Sequence, residues 1–205
     1  MKTTTEIDPQ LVKQLREKTN AGMMDCKRAL VESGGDLEKA EAILRTKGVA
    51  AAGRKAARAT KEGIVASYIH LQGKVGVLVE VNCETDFVAR NENFREFVKD
   101  ITLHIAAAHP LYVSRADVPG DLIEAEREIY NAQAKGKPEN VAEKMVEGKL
   151  DKFFSTYCLL EQGFIKNPDQ TIGDLVKAKI AELGENIVIR RFVRYLVGEP
   201  LASEA

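Results

Sequence analysis

The sequence predicts an α+β protein: an amino-terminal bundle of three helices, then a core domain with a small antiparallel sheet, covering helices and a helical hairpin. Three observations predict it. Capping and stopping residues punctuate the first fifty positions at helical spacing. Two runs rich in Val and Ile, IVASYIHL and VGVLVEVN, face each other across Gln72-Gly73-Lys74. Two long stretches that read as helices meet at the tight break Gly136-Lys137-Pro138. Boundaries are expected at 1–50 for the bundle, 51–63 for a connector and 64–205 for the core, with the helical hairpin at 121–157.

The first helix is marked by Asp8 as cap, Pro9 at the first helical position, and Ile7 placed to staple against Val12, with Leu11 and Leu15 on the inner face. A second helix runs through Met23, Met24, Cys26, Lys27, Ala29 and Leu30 and stops at Gly34-Gly35. Asp36 caps a third through Leu37, Ala40, Ile43 and Leu44, expected to end at Gly48. From Val49 to Gly63 the chain turns alanine-rich, with Arg54, Lys55, Arg58 and Lys61, and reads as a helical or flexible connector. The two Val/Ile runs then read as a β-hairpin, with Gly76 a bulge or a close approach. Phe94, Phe97, Val98, Ile101, His104, Ile105 and Ala108 follow at three- and four-residue spacing, a helix that ends before Pro110 and can cover one face of the hairpin. Asp121–Lys135 and Glu139–Tyr157 form the helical hairpin. Thr171 or Asp169 caps a last helix to Gly184, and NIVIRRFVRYLVG returns to strand chemistry.

Composition narrows the function. The 205 residues carry 30 Lys and Arg against 31 Asp and Glu, a net charge of -1, so nothing advertises nucleic acid or an anionic membrane. The basic connector Arg54–Lys61 is the one nucleic-acid candidate, and it lacks aromatic residues for base stacking. Cys26, Cys83 and Cys158 are odd in number and widely spaced, which argues against a disulfide framework or a zinc site and fits a reducing cytosol. No apolar run approaches the roughly 18 residues needed to cross a bilayer, and MKTTTEIDPQ has no hydrophobic stretch behind Lys2, so neither export nor membrane anchoring is expected.

Motifs for covalent chemistry are absent. His70, His104 and His109 sit in no triad-like or metal-binding pattern, and no phosphate-cradling glycine loop occurs; no enzyme, cofactor or metal is expected. EVNCETDFVAR stands out, because strand residues Glu80–Cys83 run straight into Thr85-Asp86-Phe87-Val88 before the next helix. Two readings are open there. Phe87 is an exposed aromatic anchor for a partner's pocket, or Phe87 and Val88 close the local core while Thr85 or Asp86 starts a helix.

Two stretches, LREKTNAGMMDCKRAL (Leu15–Leu30) and EVNCETDFVAR (Glu80–Arg90), carry a resemblance to the elongation factor Ts family. Weaker similarity extends through HIAAAHP, AEKMVEG and the terminal IRRFV, nearly the whole chain. The resemblance implies guanine-nucleotide exchange on elongation factor Tu, in its GDP-bound and nucleotide-free forms, in the cytoplasm. It implies a bundle of the ubiquitin-associated (UBA-like) type that docks on the GTPase through Arg16, Met23 and Met24. It also implies that Thr85, Asp86, Phe87 and Val88 form a wedge acting near the GTPase's magnesium and phosphates, with Asp86 and Phe87 the active pair. His104 is similar to a family histidine that faces the partner, although it also lies on the apolar stripe. Residues 121–157 resemble the family's projecting coiled-coil element. Longer members carry two core halves and this chain has room for one, so the resemblance implies a homodimer. The competing reading is a general adaptor whose bundle binds some other helical surface.

Overall fold

The computed structural model describes residues 7–19 and 21–200. Residues 1–6, the first part of MKTTTEIDPQ from which no leader is expected, and Asn20, inside the first signature stretch, lie outside the described residues.

The chain folds as two compact units built from interleaved segments. Of the described residues, the first takes in those up to Gly63, Asn82–Phe94 and Val176–Val188; the second takes in Ile64–Val81, Arg95–Leu175 and those from Ile189 on.

In the first unit, α1 (Pro9–Thr19), α2 (Met23–Glu32) and α3 (Leu37–Lys55) form a three-helix bundle. Asp8 caps α1, its Oδ1 accepting the Gln10 N–H at 2.8 Å, and Asp36 caps α3 by accepting the Lys39 N–H at 3.1 Å. Ile7, Val12, Leu15, Cys26, Ala29, Leu30 and Ala40 make the bundle's core, so the predicted staple of Ile7 on Val12 joins it directly. Gly34 and Gly35 turn the chain at φ of 68° and 90°, values that a side chain would resist.

The third helix does not end at Gly48. It continues to Lys55, because alanine, arginine and lysine are strong helix formers and because Gly48 is a contact rather than a stop. A Cβ on Gly48 would meet the Ala181 Cβ at 3.1 Å, so the missing side chain lets the two backbones approach. Lys55 Nζ then reaches the Ile180 carbonyl at 3.5 Å. The same unit contains the single-turn helix α4 (Asp86–Ala89).

The second unit holds the sheet. Strands β1 (Glu62–His70) and β2 (Val75–Cys83) are joined by residues 71–74, a connection short enough only for an antiparallel pair. Leu71 and Gln72 both take positive φ there. Strand β5 (Val188–Leu196) lies on the other side of β2, giving the order β1-β2-β5. Val75, Val77, Val79 and Val81 alternate inward along β2 and are buried. Helix α5 (Glu92–Ala108) buries Phe97, Val98, Ile101 and Ile105, the stripe its spacing predicted. Helices α6 (Gly120–Ala134) and α7 (Glu139–Tyr157) pair across Gly136 and share a core of Ala134, Val146, Leu150 and Phe154. Arg115 ties α7 down, reaching Asp151 at 2.9 Å and Glu161, with its guanidinium 4.5 Å from the centre of the Phe154 ring.

A second, two-stranded antiparallel ribbon, β3 (Gly163–Phe164) with β4 (Asn167–Thr171), was not foreseen. A Cβ on Gly163 would stand 2.8 Å from the Pro168 carbonyl oxygen, so only glycine lets the two strands approach this closely. Thr171 then caps α8 (Ile172–Leu183), accepting the Asp174 N–H at 3.1 Å. Helices and a small antiparallel sheet make the protein α+β, as the sequence predicts.

Candidate functional site

The corner after β2 combines both sequence readings. Thr85 is extended and caps α4, its hydroxyl accepting the Val88 N–H at 3.4 Å. Successive residues of a helix diverge by about 100°, and four residues suffice to separate the two apolar side chains. Val88 and Ala89 turn inward and are buried, whereas Phe87 turns outward and leaves 78% of its surface exposed. Asp86 pairs with Arg90 at 2.9 Å, one turn on, both side chains in solvent. Asn91 restarts the chain as a helix by accepting the Asn93 N–H at 2.8 Å.

The frame behind this ring is polar and well connected. Glu185 accepts the N–H groups of Glu84 and Thr85 at 3.1 and 3.0 Å and the Thr85 hydroxyl at 2.6 Å. Glu84 in turn accepts the Asn186 N–H at 2.6 Å. Cys83, directly before the corner, is buried and donates to the Thr85 carbonyl at 3.1 Å. Burial first, then the nearby charge of Glu185, pushes its thiol up to about 11, so it stays protonated near neutrality and serves as structure.

Arg16, Met23 and Met24 lie on the bundle. Helix α2 turns Cys26, Ala29 and Leu30 inward, which leaves Met23 58% and Met24 62% exposed, and Arg16 is exposed on α1. Met24 and Val31 line an open apolar groove edged by Lys27, Arg28, Glu32 and Lys47.

His104 is elsewhere in kind: its side chain has no exposed surface. Its Nε2 lies 3.0 Å from the Gln162 Oε1, and its Nδ1 accepts the Ile165 N–H at 3.3 Å. With Nδ1 accepting, the ring is neutral and carries its proton on Nε2. Burial lowers its pKa, opposed by the bond to Gln162. Gln162 is buried as well, and donates to the carbonyls of Thr156 at 2.6 Å and Ala108 at 3.4 Å.

Sequence reasoning missed two buried or anchoring polar partners and an exposed apolar face. Glu185 and Gln162 stand in no motif, and the site residues they hold, Thr85 and His104, lie 100 and 58 positions away in the chain. The outer face of the sheet also carries Val65, Ile69, Leu78, Val193 and Tyr195 in solvent, a pattern that strand alternation could have exposed. Among the described residues no group of His, Cys, Asp and Glu could hold a metal ion, and no helix is long and apolar enough to cross a membrane.

The class so defined is an α+β protein that presents exposed apolar side chains from a fixed polar frame. Residues 10–199 match the family described as elongation factor TS. Similar proteins named elongation factor Ts occur in Carboxydothermus hydrogenoformans, 62% identical over 97% of this chain and 92% of the relative, and in Geobacter metallireducens, 60% identical over 94% and 90%. Another, from Thermoanaerobacter sp. strain X514, is 57% identical over 97% of this chain and 98% of its own. The chain belongs to the elongation factor Ts family.

Proposed function

We propose that this protein accelerates GDP release from elongation factor Tu in translation elongation, with Thr85–Val88 as the wedge. The observation that carries the reading is Phe87: a phenylalanine held in water by a hydrogen-bonded corner has burial free energy still to gain. Filling a partner's pocket with one such ring is worth roughly 1.5–3 kcal/mol, on the scale of the 1–3 kcal/mol typical of coupling between two sites. The ring enters between partner helices and shifts the groups that hold the partner's Mg²⁺, and the phosphate clamp on GDP weakens with it. Asp86 stands at the same edge of the wedge, free to meet polar groups of the partner when its exposed pair with Arg90 opens.

Docking is assigned to the bundle, read as UBA-like, through Arg16, Met23 and Met24, where adaptable methionine side chains suit an apolar groove. His104 enters this account as a support. A side chain without exposed surface stabilises the fold and does not touch the partner in this conformation. Linkage fixes the direction of the cycle: what weakens GDP when the factor is bound weakens the factor equally when GDP is bound, and GTP then displaces it. The protein contributes no covalent chemistry and acts in the cytoplasm.

The exposed apolar outer face of the sheet supports a homodimer in which two copies bury Val65, Ile69, Leu78, Val193 and Tyr195 against each other. Sedimentation of Leu78→Asp checks it: a monomer is expected, and an unchanged dimer would place the interface elsewhere. The paired helices α6 and α7 are read as the family's projecting arm. The exchange reading is tested by loading elongation factor Tu with a fluorescent GDP analogue and chasing with excess GDP. Faster release on addition of this protein is expected; release at the intrinsic rate, with or without binding, would leave a general adaptor instead.

A further inference from the structure

We propose that Glu185 is a positioning residue for nucleotide exchange, fixing the angle at which Phe87 is presented; the inference rests on the wedge reading above. The corner is made where two stretches distant in sequence, 83–86 and 184–186, exchange hydrogen bonds in both directions. The Glu185 carboxylate takes three donors from the wedge side, the N–H groups of Glu84 and Thr85 and the Thr85 hydroxyl. The Glu84 carboxylate takes the Asn186 N–H and is met by Arg58 at 3.4 Å. Asn186, itself buried, donates to the carbonyls of Ala56 at 3.3 Å and Arg58 at 2.9 Å.

Glu185 reaches this place because α8 is stopped by Gly184, whose φ of 81° turns the chain back toward the corner. The far side of the wedge is held by the same stretch: Asn93 donates to Glu182 at 3.0 Å, and Glu182 is paired with Lys179 at 2.8 Å. The segment that carries Phe87 is therefore anchored at both ends, at Thr85 and at Asn93, by residues 182–185.

A helix as short as α4 has no stability of its own, so its direction is set by its ends. The Thr85 hydroxyl joins the two tasks, donating to Glu185 while accepting the Val88 N–H that begins the turn. The carboxylate thereby selects the rotamer that caps α4 and, two residues on, the direction of the Phe87 ring. A wedge that displaces groups in a partner acts only if its own base does not yield, which is the role of such supporting hydrogen bonds.

The test is Glu185→Gln, which keeps the size of the side chain and replaces one acceptor with a donor that faces donors. The maximal rate of GDP release at saturating factor is expected to fall about tenfold, the scale of one charge-assisted hydrogen bond. The half-saturating concentration stays unchanged, because docking lies on the bundle. Amide hydrogen exchange at Glu84 and Thr85 accelerates. In a double-mutant cycle, Phe87→Ala lowers the maximal rate in the wild-type background and lowers it little further when combined with Glu185→Gln; a merely structural Glu185 would give additive losses. Should Glu185→Gln fail to fold, Glu185→Asp carries the same test, with a smaller loss and the same split. Wild-type maximal release from Glu185→Gln, with Phe87→Ala impaired, would overturn this inference and leave the wedge standing. An unimpaired Phe87→Ala would overturn both.

Discussion

Phe87 and His104 are both aromatic rings whose surroundings are fixed by hydrogen bonds, yet the first keeps 78% of its surface in solvent and the second keeps none. At the corner the hydrogen bonds belong to the backbone and to Thr85, and the ring has none. In the His104 pocket they belong to the ring itself, one to each nitrogen. The difference separates two uses of the same rigidity. A satisfied, buried ring contributes its free energy to folding, whereas a ring held in water still has burial free energy to gain, which the proposed function assigns to a partner. Substitutions should divide the same way, with stability moving at His104 and exchange moving at Phe87.

The largest effect is expected at His104. Replacement by alanine removes a fully buried ring and leaves Gln162 Oε1 and the Ile165 N–H without partners, which costs about 3 kcal/mol of stability. Chemical denaturation reads the loss, and exchange activity per folded molecule is expected to persist. An undiminished stability would contradict a role for His104 in holding the fold.

The same residue gives stability a dependence on pH. Its folded pKa is lowered from the ordinary 6.5, so between the two values the unfolded chain binds the extra proton. This contribution to stability is whole above the ordinary value and declines as pH falls through the window toward the folded pKa, with a limiting slope of about 1.4 kcal/mol per pH unit. His104→Gln, which cannot take up that proton, is expected to flatten the decline in denaturation midpoints measured across the window.

Smaller again is the effect of Met24→Lys, which leaves folding intact because the side chain is exposed, and weakens binding to nucleotide-free elongation factor Tu about tenfold. The maximal release rate is expected to hold, so that docking and wedge separate in one titration. Asp86→Asn is the smallest on stability: the pair with Arg90 is exposed on both sides, and such pairs contribute about 0.5 kcal/mol or less. Its effect on exchange sharpens the account of the wedge, since a lost rate at constant stability assigns the Asp86 charge to the partner.

Much of this contrast was legible before folding, and the remainder was hidden for physical reasons. Local signals read well: Asp8, Asp36 and Thr171 cap the helices that follow them, and α7 begins at Glu139 and ends at Tyr157 where the pattern placed it. The strand-to-helix corner at Thr85 was also plain. The direction of Phe87 was open, because a single helical turn has too few residues for periodicity to choose a face. His104 fell on both an apolar stripe and a resemblance. Its burial depends on Gln162 and Ile165, which come from the region of a ribbon whose strands are too short to leave a pattern and whose second strand contains Pro168. Gly48 read as a stop because its use is tertiary, a close approach to Ala181. Glu185 is the clearest case: 100 residues separate it from Thr85, and no local rule links a glutamate after a helix to a cap in a distant corner.

In the proposed function Phe87 is held ready for a partner rather than for the fold. The most direct measurement is stopped-flow release of fluorescent GDP from elongation factor Tu at saturating wild type and Phe87→Ala, with the unfolding free energy of both proteins. Unfolding free energies are expected to agree within about 0.5 kcal/mol, as for other exposed positions, with a maximal release rate lowered about tenfold or more by the loss of the ring. Equal release rates, or a variant whose lost activity is matched by lost stability, would contradict it.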